Sequence, residues 1–355
     1  MRIQHSKPTL SEKEVKAVSN VIASGYIAEG ECTRTFEKKA AKYVGVDYAS
    51  ATNNGSSALH LALLALGIGE GDEVIIPTYT CPSVLHTVNN VKATPILCDV
   101  NLTDFNISLE DIEKKITEKT AGIIVPHMFG LPADIKKIKK FSIKIIEDCA
   151  QSFGATIGKK RVGNFGDIAI TSFYATKMMT TGQGGMTFTK SKKLQDRIEV
   201  LKDYDMKRYP HQGKYKTRFN YAMTDIQAAM GRVQLDRLDG FIKKRKKIAG
   251  EYSKSLLNQG FQLPTDIGDR KHTYYRYIIR AEKDNNHIIK ALRERGIESY
   301  PGGSHILHRY LGLDKKDFDS AEILKKRSIS VPIFPTLSKL ELEYIVNTLK
   351  STIRY

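Results

Sequence analysis

Only four of the 355 residues are cysteine, Cys32, Cys81, Cys98 and Cys149, and no two form a CxxC pair or a zinc spacing. That scatter argues against a disulfide framework and a structural metal, and it points to a reducing cytoplasm. Apolar runs are short as well. None approaches the roughly 20 residues of a membrane span, and the opening MRIQHSKPTLSEKE has no apolar stretch of the signal-peptide kind. The chain is therefore expected to be soluble, neither secreted nor embedded. Repeats and low-complexity linkers are missing. Acidic residues are scarce: 39 Asp and Glu against 56 Lys and Arg leave a net charge of +17. Such a balance invites a nucleic-acid partner. Its best support is Lys243-Lys244-Arg245-Lys246-Lys247, but that run falls in a helical pattern and reads as a solvated face, like IKKIKK, with no nucleic-acid motif beside it. Neither nucleic acid nor membrane is expected as a partner, and the positive field suits small phosphate-bearing ligands.

What is present is an alternation of strand and helix patterns. Ser11 and Glu14 form a capping box for a helix that ends at Gly25. A second helical stretch runs from Thr35 to Tyr43. Apolar, β-branched runs follow at Glu73 to Pro77, Thr94 to Val100, Ala121 to Pro126 and Lys144 to Asp148. Helical patterns separate them at Ser57 to Leu66, Pro82 to Asn90, Leu109 to Ile116 and Ala133 to Phe141. Continuous apolar strands joined by helical crossovers predict an α/β fold with a mainly parallel sheet covered on both faces. Two later strands, Asp167 to Tyr174 and Gly185 to Thr189, lie too close together for a crossover helix and predict an antiparallel pair. A long helix from Asp225 to about Leu257 leads to a strand at Thr273 to Ile279, a helix at Asn286 to Arg295 and a last helix from Ser338. With a length prior of about 150 residues per domain, the chain divides into a large domain, 1–240, and a linking helix with a small α+β domain, 241–355.

Ligands of parallel sheets gather beyond the carboxyl ends of the strands, where four clusters fall. Asn53-Asn54-Gly55-Ser56-Ser57 opens a helix and reads either as an anion site or as a plain N-cap. Glu147-Asp148-Cys149-Ala150-Gln151 closes a strand, and its carboxylates read as a ligand, a base, a partner for a ring nitrogen or a structural ion pair. Lys177, within Ser172-Phe-Tyr-Ala-Thr-Lys177, is flanked by small and apolar residues between two strands and reads as a reactive amine or as a surface lysine. Asn220 sits in a turn before the long helix, where Thr224 or Asp225 looks like the cap. An anion site, a carboxylate and a lysine together form the set that pyridoxal phosphate needs.

The stretches FEKKAAKYVGVDYASATNNGSSALHLALLALGIGEGDEVIIPTYT, TPILCDVNLTDFNI, IIEDCAQSFGA, SFYATKMMTTGQGG and NYAMTDIQAAMGRVQLDRL, spanning about Gly25 to Leu238, resemble the DegT/DnrJ/EryC1/StrS family of sugar aminotransferases, fold type I pyridoxal-phosphate enzymes. The ending VPIFPTLSKLELEYI also fits. The resemblance implies that Lys177 forms the internal aldimine and moves the reacting proton, that Asp148 pairs with the pyridinium nitrogen, and that Gln151 bonds the ring hydroxyl. It implies that Ser56, Ser57 and Ser172 hold the phosphate, with Asn220 arriving from the other subunit of a homodimer. Cys81 stands where an aromatic residue usually stacks on the ring, with Ala150 on the other face. Gln183 replaces a glutamate and Ala222 an arginine. GGSHILHRY matches loosely the family's histidine-containing substrate loop, and Tyr26, His305 and His308 are its substrate candidates.

The implied activity is ping-pong transamination from L-glutamate, or glutamine, to a keto group of a nucleotide-diphosphate deoxysugar, for glycan or lipopolysaccharide precursors. Related readings are amination of an aminocyclitol ketone and a cofactor-dependent sugar dehydration. Relatives that dehydrate carry histidine where this chain has Lys177, which favours transamination.

Overall fold

The computed structural model describes residues 2–205, 217–302 and 304–353. Its centre is a sheet of seven strands in the order Tyr48–Thr52, Gly185–Thr189, Ile168–Ser172, Lys144–Asp148, Thr120–Pro126, Glu73–Pro77, Thr94–Cys98. All run parallel except Gly185–Thr189, which pairs antiparallel with both neighbours. The apolar runs are continuous because both faces are covered, and alternate side chains serve opposite layers. Val74, Ile76, Ile124 and Ile146 pack on the helices Gly55–Leu66 and Pro82–Asn90. Ile75, Ile123, Val125 and Ile145 pack with Ile112, Ile135 and Ile138 on the other side.

The helix Asp225–Leu256 is 32 residues long, about 48 Å at 1.5 Å per residue. Leu235, Leu238 and Ile242 belong to the large-domain core with Phe36 and Phe173. Ala249, Tyr252 and Leu256 join a second core with Tyr277, Ile279, Ile329 and Leu349. That core backs a four-stranded antiparallel sheet ordered Phe261–Gln262, Tyr277–Ala281, Ser328–Val331, Tyr300–Pro301. Residue 240 falls inside the long helix, and Ile3 bridges Ile297 and packs in the small core. His305–Ile306 pairs with Tyr79–Thr80 of the large domain.

Three local expectations change. The strand expected from Thr273 begins at Tyr277. Residues 273–276 cross back to the large domain instead, Thr273 N–H donating to Gly130 O (2.9 Å) and Arg276 N–H to Phe129 O (3.2 Å). The helix expected over 133–141 is a short turn, Ile135–Ile138, followed by a tighter one, Lys139–Phe141. In the 243–247 run the four lysines are exposed, but Arg245 is buried and donates to the carbonyls of Tyr274, Tyr275 and Ile333. The face is solvated at four positions and is an internal brace at the fifth.

Thr224 caps the long helix with a capping box to Gln227. That frees the Asp225 carboxylate for a different helix, Glu31–Val44, whose own N-cap is Gly30 and supplies no side chain. Asp225 accepts from the N–H groups of Gly30 (2.8 Å), Cys32 (3.2 Å) and Thr33 (2.9 Å) and from the Thr33 hydroxyl (2.7 Å). Replacing it strands several donors at a positive helix end. Asp225→Ala is expected to lower unfolding stability by about 2 kcal/mol, with Asp225→Asn losing less. Urea unfolding midpoints with an unchanged slope check this.

Candidate active site

The carboxyl ends of Tyr48–Thr52, Glu73–Pro77, Lys144–Asp148 and Ile168–Ser172 open on one edge of the sheet, where the sheet chemistry places ligands. A cleft of about 250 Å³ lies there, lined by Gly55, Ser56, Cys81, Ser83, Asp148, Ala150, Gln151, Ser172, Lys177 and Gln183, among others. Clusters far apart in sequence therefore meet.

Its first wall is the N-terminus of the helix Gly55–Leu66. Asn54 caps it, the side chain accepting from Ser57 N–H (2.8 Å). Gly55 has no substitute, since a Cβ there would stand 2.8 Å from Ser172 Cβ. That close approach brings the helix end, Ser56 and Ser172 together. Ser57 is buried, does not line the cleft and gives its N–H to the cap, so the structure does not place its side chain with the other two. Ser83 does belong there: its hydroxyl lies 2.7 Å from that of Ser56. Sequence reasoning missed it. The available signal was Pro82 at the first position of a second helix starting at the same edge.

The second wall is the end of the strand Lys144–Asp148. Asp148 faces the cleft, almost fully buried, and accepts from Ala150 N–H (2.9 Å). Burial pushes its carboxyl up, and the Ala150 N–H, Lys177 and His127 offset this only in part. Such a carboxylate gains from a cationic partner brought by a ligand. Gln151 accepts Phe129 N–H on its amide oxygen (3.1 Å), so what it offers a ligand is its N–H end.

Glu147, the neighbour of Asp148, points the other way. Its oxygens accept from Phe165 N–H (2.6 Å), Gly166 N–H (2.7 Å) and Gly163 N–H (2.9 Å), and lie 3.1 Å from His127 Nε2. Because His127 Nδ1 accepts from Ala133 N–H (3.0 Å), Nε2 carries the proton. His127, Glu147 and Cys149 bring their donor atoms within 4.8 Å of one another. Those of the histidine and the carboxylate are already engaged by the protein, which makes the group a brace behind Asp148.

Lys177 reaches the cleft from the turn after Ile168–Ser172, half-buried, its Nζ 5.3 Å from the centre of the Tyr275 ring. Cys81, exposed at the head of the helix Pro82–Asn90, and Ala150 complete the lining.

The remaining candidates lie elsewhere. Asn220 is exposed beside Asn53, whose amide donates to its carbonyl (3.4 Å), and is outside the cleft of its own chain. Tyr26 is exposed and lines a separate groove of about 750 Å³ with Asp225 and Arg232. His305 is exposed and pairs with Thr80, the residue before the cleft-lining Cys81, with Nδ1 3.1 Å from the Tyr310 hydroxyl. His308 is fully buried, Nδ1 2.7 Å from Thr78 Oγ1 and Nε2 3.0 Å from Glu322, and stacks on Phe318. Both of its nitrogens are engaged, so it ties the small domain to the sheet and does not face a substrate. Gly303, in the same loop, lies outside the described residues. Ala222 bridges Thr52.

The donor set fits pyridoxal phosphate: hydroxyls at a helix N-terminus for the phosphate, a buried carboxylate for a cationic ring nitrogen, an amide N–H for a ring oxygen and a primary amine for the aldehyde. Among relatives, the GDP-perosamine synthase of Escherichia coli O157:H7 is 38% identical, over 97% of this chain and 96% of that protein. The GDP-perosamine synthase of Caulobacter vibrioides is 34% identical, over 98% and 97%. Among solved structures, Spr1654 of Streptococcus pneumoniae, known in PLP and PMP forms, has a TM-score of 0.92 at 26% identity, with 100% of this chain covered and 98% of its PMP form. Matched over residues 8–350 and along nearly the full length of such relatives, the chain belongs to the DegT/DnrJ/EryC1/StrS aminotransferase family and is a pyridoxal-phosphate-dependent transaminase.

Proposed function

We propose that this transaminase takes an amino group from L-glutamate and delivers it, in a ping-pong cycle, to the keto group of a nucleotide-diphosphate deoxysugar, in cytoplasmic synthesis of glycan precursors. The observation that carries the reading is the convergence of Lys177 and Asp148 on one cleft with the Gly55–Leu66 helix end. Bound pyridoxal phosphate supplies an electron sink for carbanion chemistry. The chain's own residues do the rest. Asp148 holds positive charge at the ring nitrogen, Gln151 orients the ring through its amide, and Ser56, Ser83 and Ser172 with the helix end hold the phosphate. The Lys177 amine takes up and returns the proton of the reacting carbon.

Asn220 is exposed and does not line its own cleft, which supports a homodimer in which it completes the partner's phosphate site, with Tyr26 in its groove as a substrate contact. The GDP-linked product named for both relatives makes a guanosine-diphosphate keto sugar the first substrate to try.

The test supplies the holoenzyme with glutamate and a panel of GDP-, dTDP- and UDP-linked keto sugars, beside an inosose, and reads the aminated product by mass spectrometry. The expected result is a nucleotide-linked amino sugar, formed fastest from the GDP series, by a particle with the mass of two chains. Amination of the inosose alone, or loss of water without amination, overturns the substrate assignment.

A further inference from the structure

Beneath Lys177 lies a residue of the small domain that the cofactor chemistry has not used. The crossing segment 273–276 inserts Tyr275 into the large-domain core, 6% exposed. Lys177 Nζ stands over the face of its ring at 5.3 Å, within cation–π range. The hydroxyl accepts from Arg276 Nη2 at 3.4 Å, and the side chain of Thr176, the residue next to the lysine, favours its ionised form. Arg276 also stacks its guanidinium 4.8 Å from the same ring and reaches His5, while Arg245 donates to the Tyr275 carbonyl at 3.3 Å. Among the described residues neither arginine pairs with a carboxylate. The charged and titratable groups around the phenol are thus Lys177, Arg276 and Arg245, with His5 behind Arg276 and Asp148 beyond Lys177.

We propose that Tyr275 is a positioning residue for Lys177: its buried phenol acts as the anionic partner that keeps the lysine nitrogen cationic and directed into the cleft. Burial pushes the phenol up, yet Lys177, Arg276, the Thr176 hydroxyl and Arg245 outweigh it and bring it down to about 7. Near neutral pH the group is therefore part phenolate. Because the small domain supplies it, the state of the lysine is tied to the docking of that domain on the sheet. The proposal rests on Lys177 being the lysine that bonds the cofactor.

The test is a pH titration of the visible absorption of the resting holoenzyme, in which the lysine nitrogen gains or loses its proton, for the wild type, Tyr275→Phe and Thr176→Val. Tyr275→Phe keeps the ring and removes the charge. It is expected to move the midpoint down by about one pH unit, a tenfold loss of proton affinity. kcat is expected to fall severalfold, with the KM for glutamate nearly unchanged. Thr176→Val leaves the tyrosine in place and is expected to move the midpoint the same way by less, so the proposal remains testable if Tyr275→Phe folds poorly. An unmoved midpoint in both variants overturns the role of Tyr275. Absence of any such band in the wild type overturns the cofactor lysine instead.

Discussion

Lys177→Ala is expected to abolish amino transfer, by at least about a thousandfold, while leaving the fold intact. The size of the effect follows from the two roles proposed for this one side chain, the covalent hold on the cofactor and the proton transfer at the reacting carbon, each worth orders of magnitude by itself. Stability is spared for a structural reason. Among the described residues the Lys177 nitrogen makes no hydrogen bond; its neighbour is the Tyr275 ring beneath it, whose hydroxyl Arg276 still holds at 3.4 Å in the variant, and truncating a half-buried lysine of that kind changes stability by about 1 kcal/mol or less. The purified variant should lack the visible absorption of lysine-bound cofactor and melt within a few degrees of the wild type. Retention of that absorption, or of appreciable transfer, overturns the assignment of the lysine.

Local patterns announced most of the scaffold. Glu73–Pro77, Lys144–Asp148, Gly185–Thr189 and Pro82–Asn90 have the bounds that their composition predicts, because each is a short apolar or capped segment whose signal is complete within itself. For the cleft, the small and apolar neighbours of Lys177 left a reactive amine and a surface lysine both open, and only the resemblance carried by several long motifs together singled it out. A residue's role was not legible where the partner comes from far along the chain. Asp225 caps a helix 195 residues before it, and its own neighbourhood shows only the cap of the next helix. Tyr275 sits in a stretch that alternates like a strand, and the crossing bonds to Phe129 and Gly130 that divert it have no mark in the sequence. Arg245 lies among exposed lysines, and only the carbonyls it meets across the domain junction take it out of the solvent-facing set. His308 matched a substrate motif by its residue type, but burial against Phe318 decides its role.

The doublet Glu147-Asp148 is the sharpest case. Neighbours on a strand point to opposite faces, so one acid had to face the cleft and one the interior, but the alternation does not say which. The two environments predict opposite outcomes for the two amides. Burial of Glu147 pushes its carboxyl up, but His127 and the N–H groups of Gly163 and Gly166 outweigh it and hold it below its ordinary value. For an acid lowered in the folded state, the stabilisation is present above the unfolded pKa and disappears as pH falls through the folded one. Glu147→Gln puts an NH2 group against backbone donors and should lower stability at neutral pH by about 3–5 kcal/mol, a drop in Tm on the order of 10 °C. The difference from the wild type should shrink in acid. Asp148 is raised by burial, so the cofactor-free chain holds its proton more tightly than the unfolded chain and loses stability as pH rises past the unfolded value. Asp148→Asn should therefore leave the apoprotein as stable as the wild type at neutral pH, or more so. Under the proposed pairing of Asp148 with the ring nitrogen, transfer should fall by about a hundredfold or more, because no anion then answers that charge. Melting curves of both apo variants across pH, beside their turnover, separate the roles. An Asp148→Asn protein that unfolds early and still transfers amine would reverse the assignment of the pair.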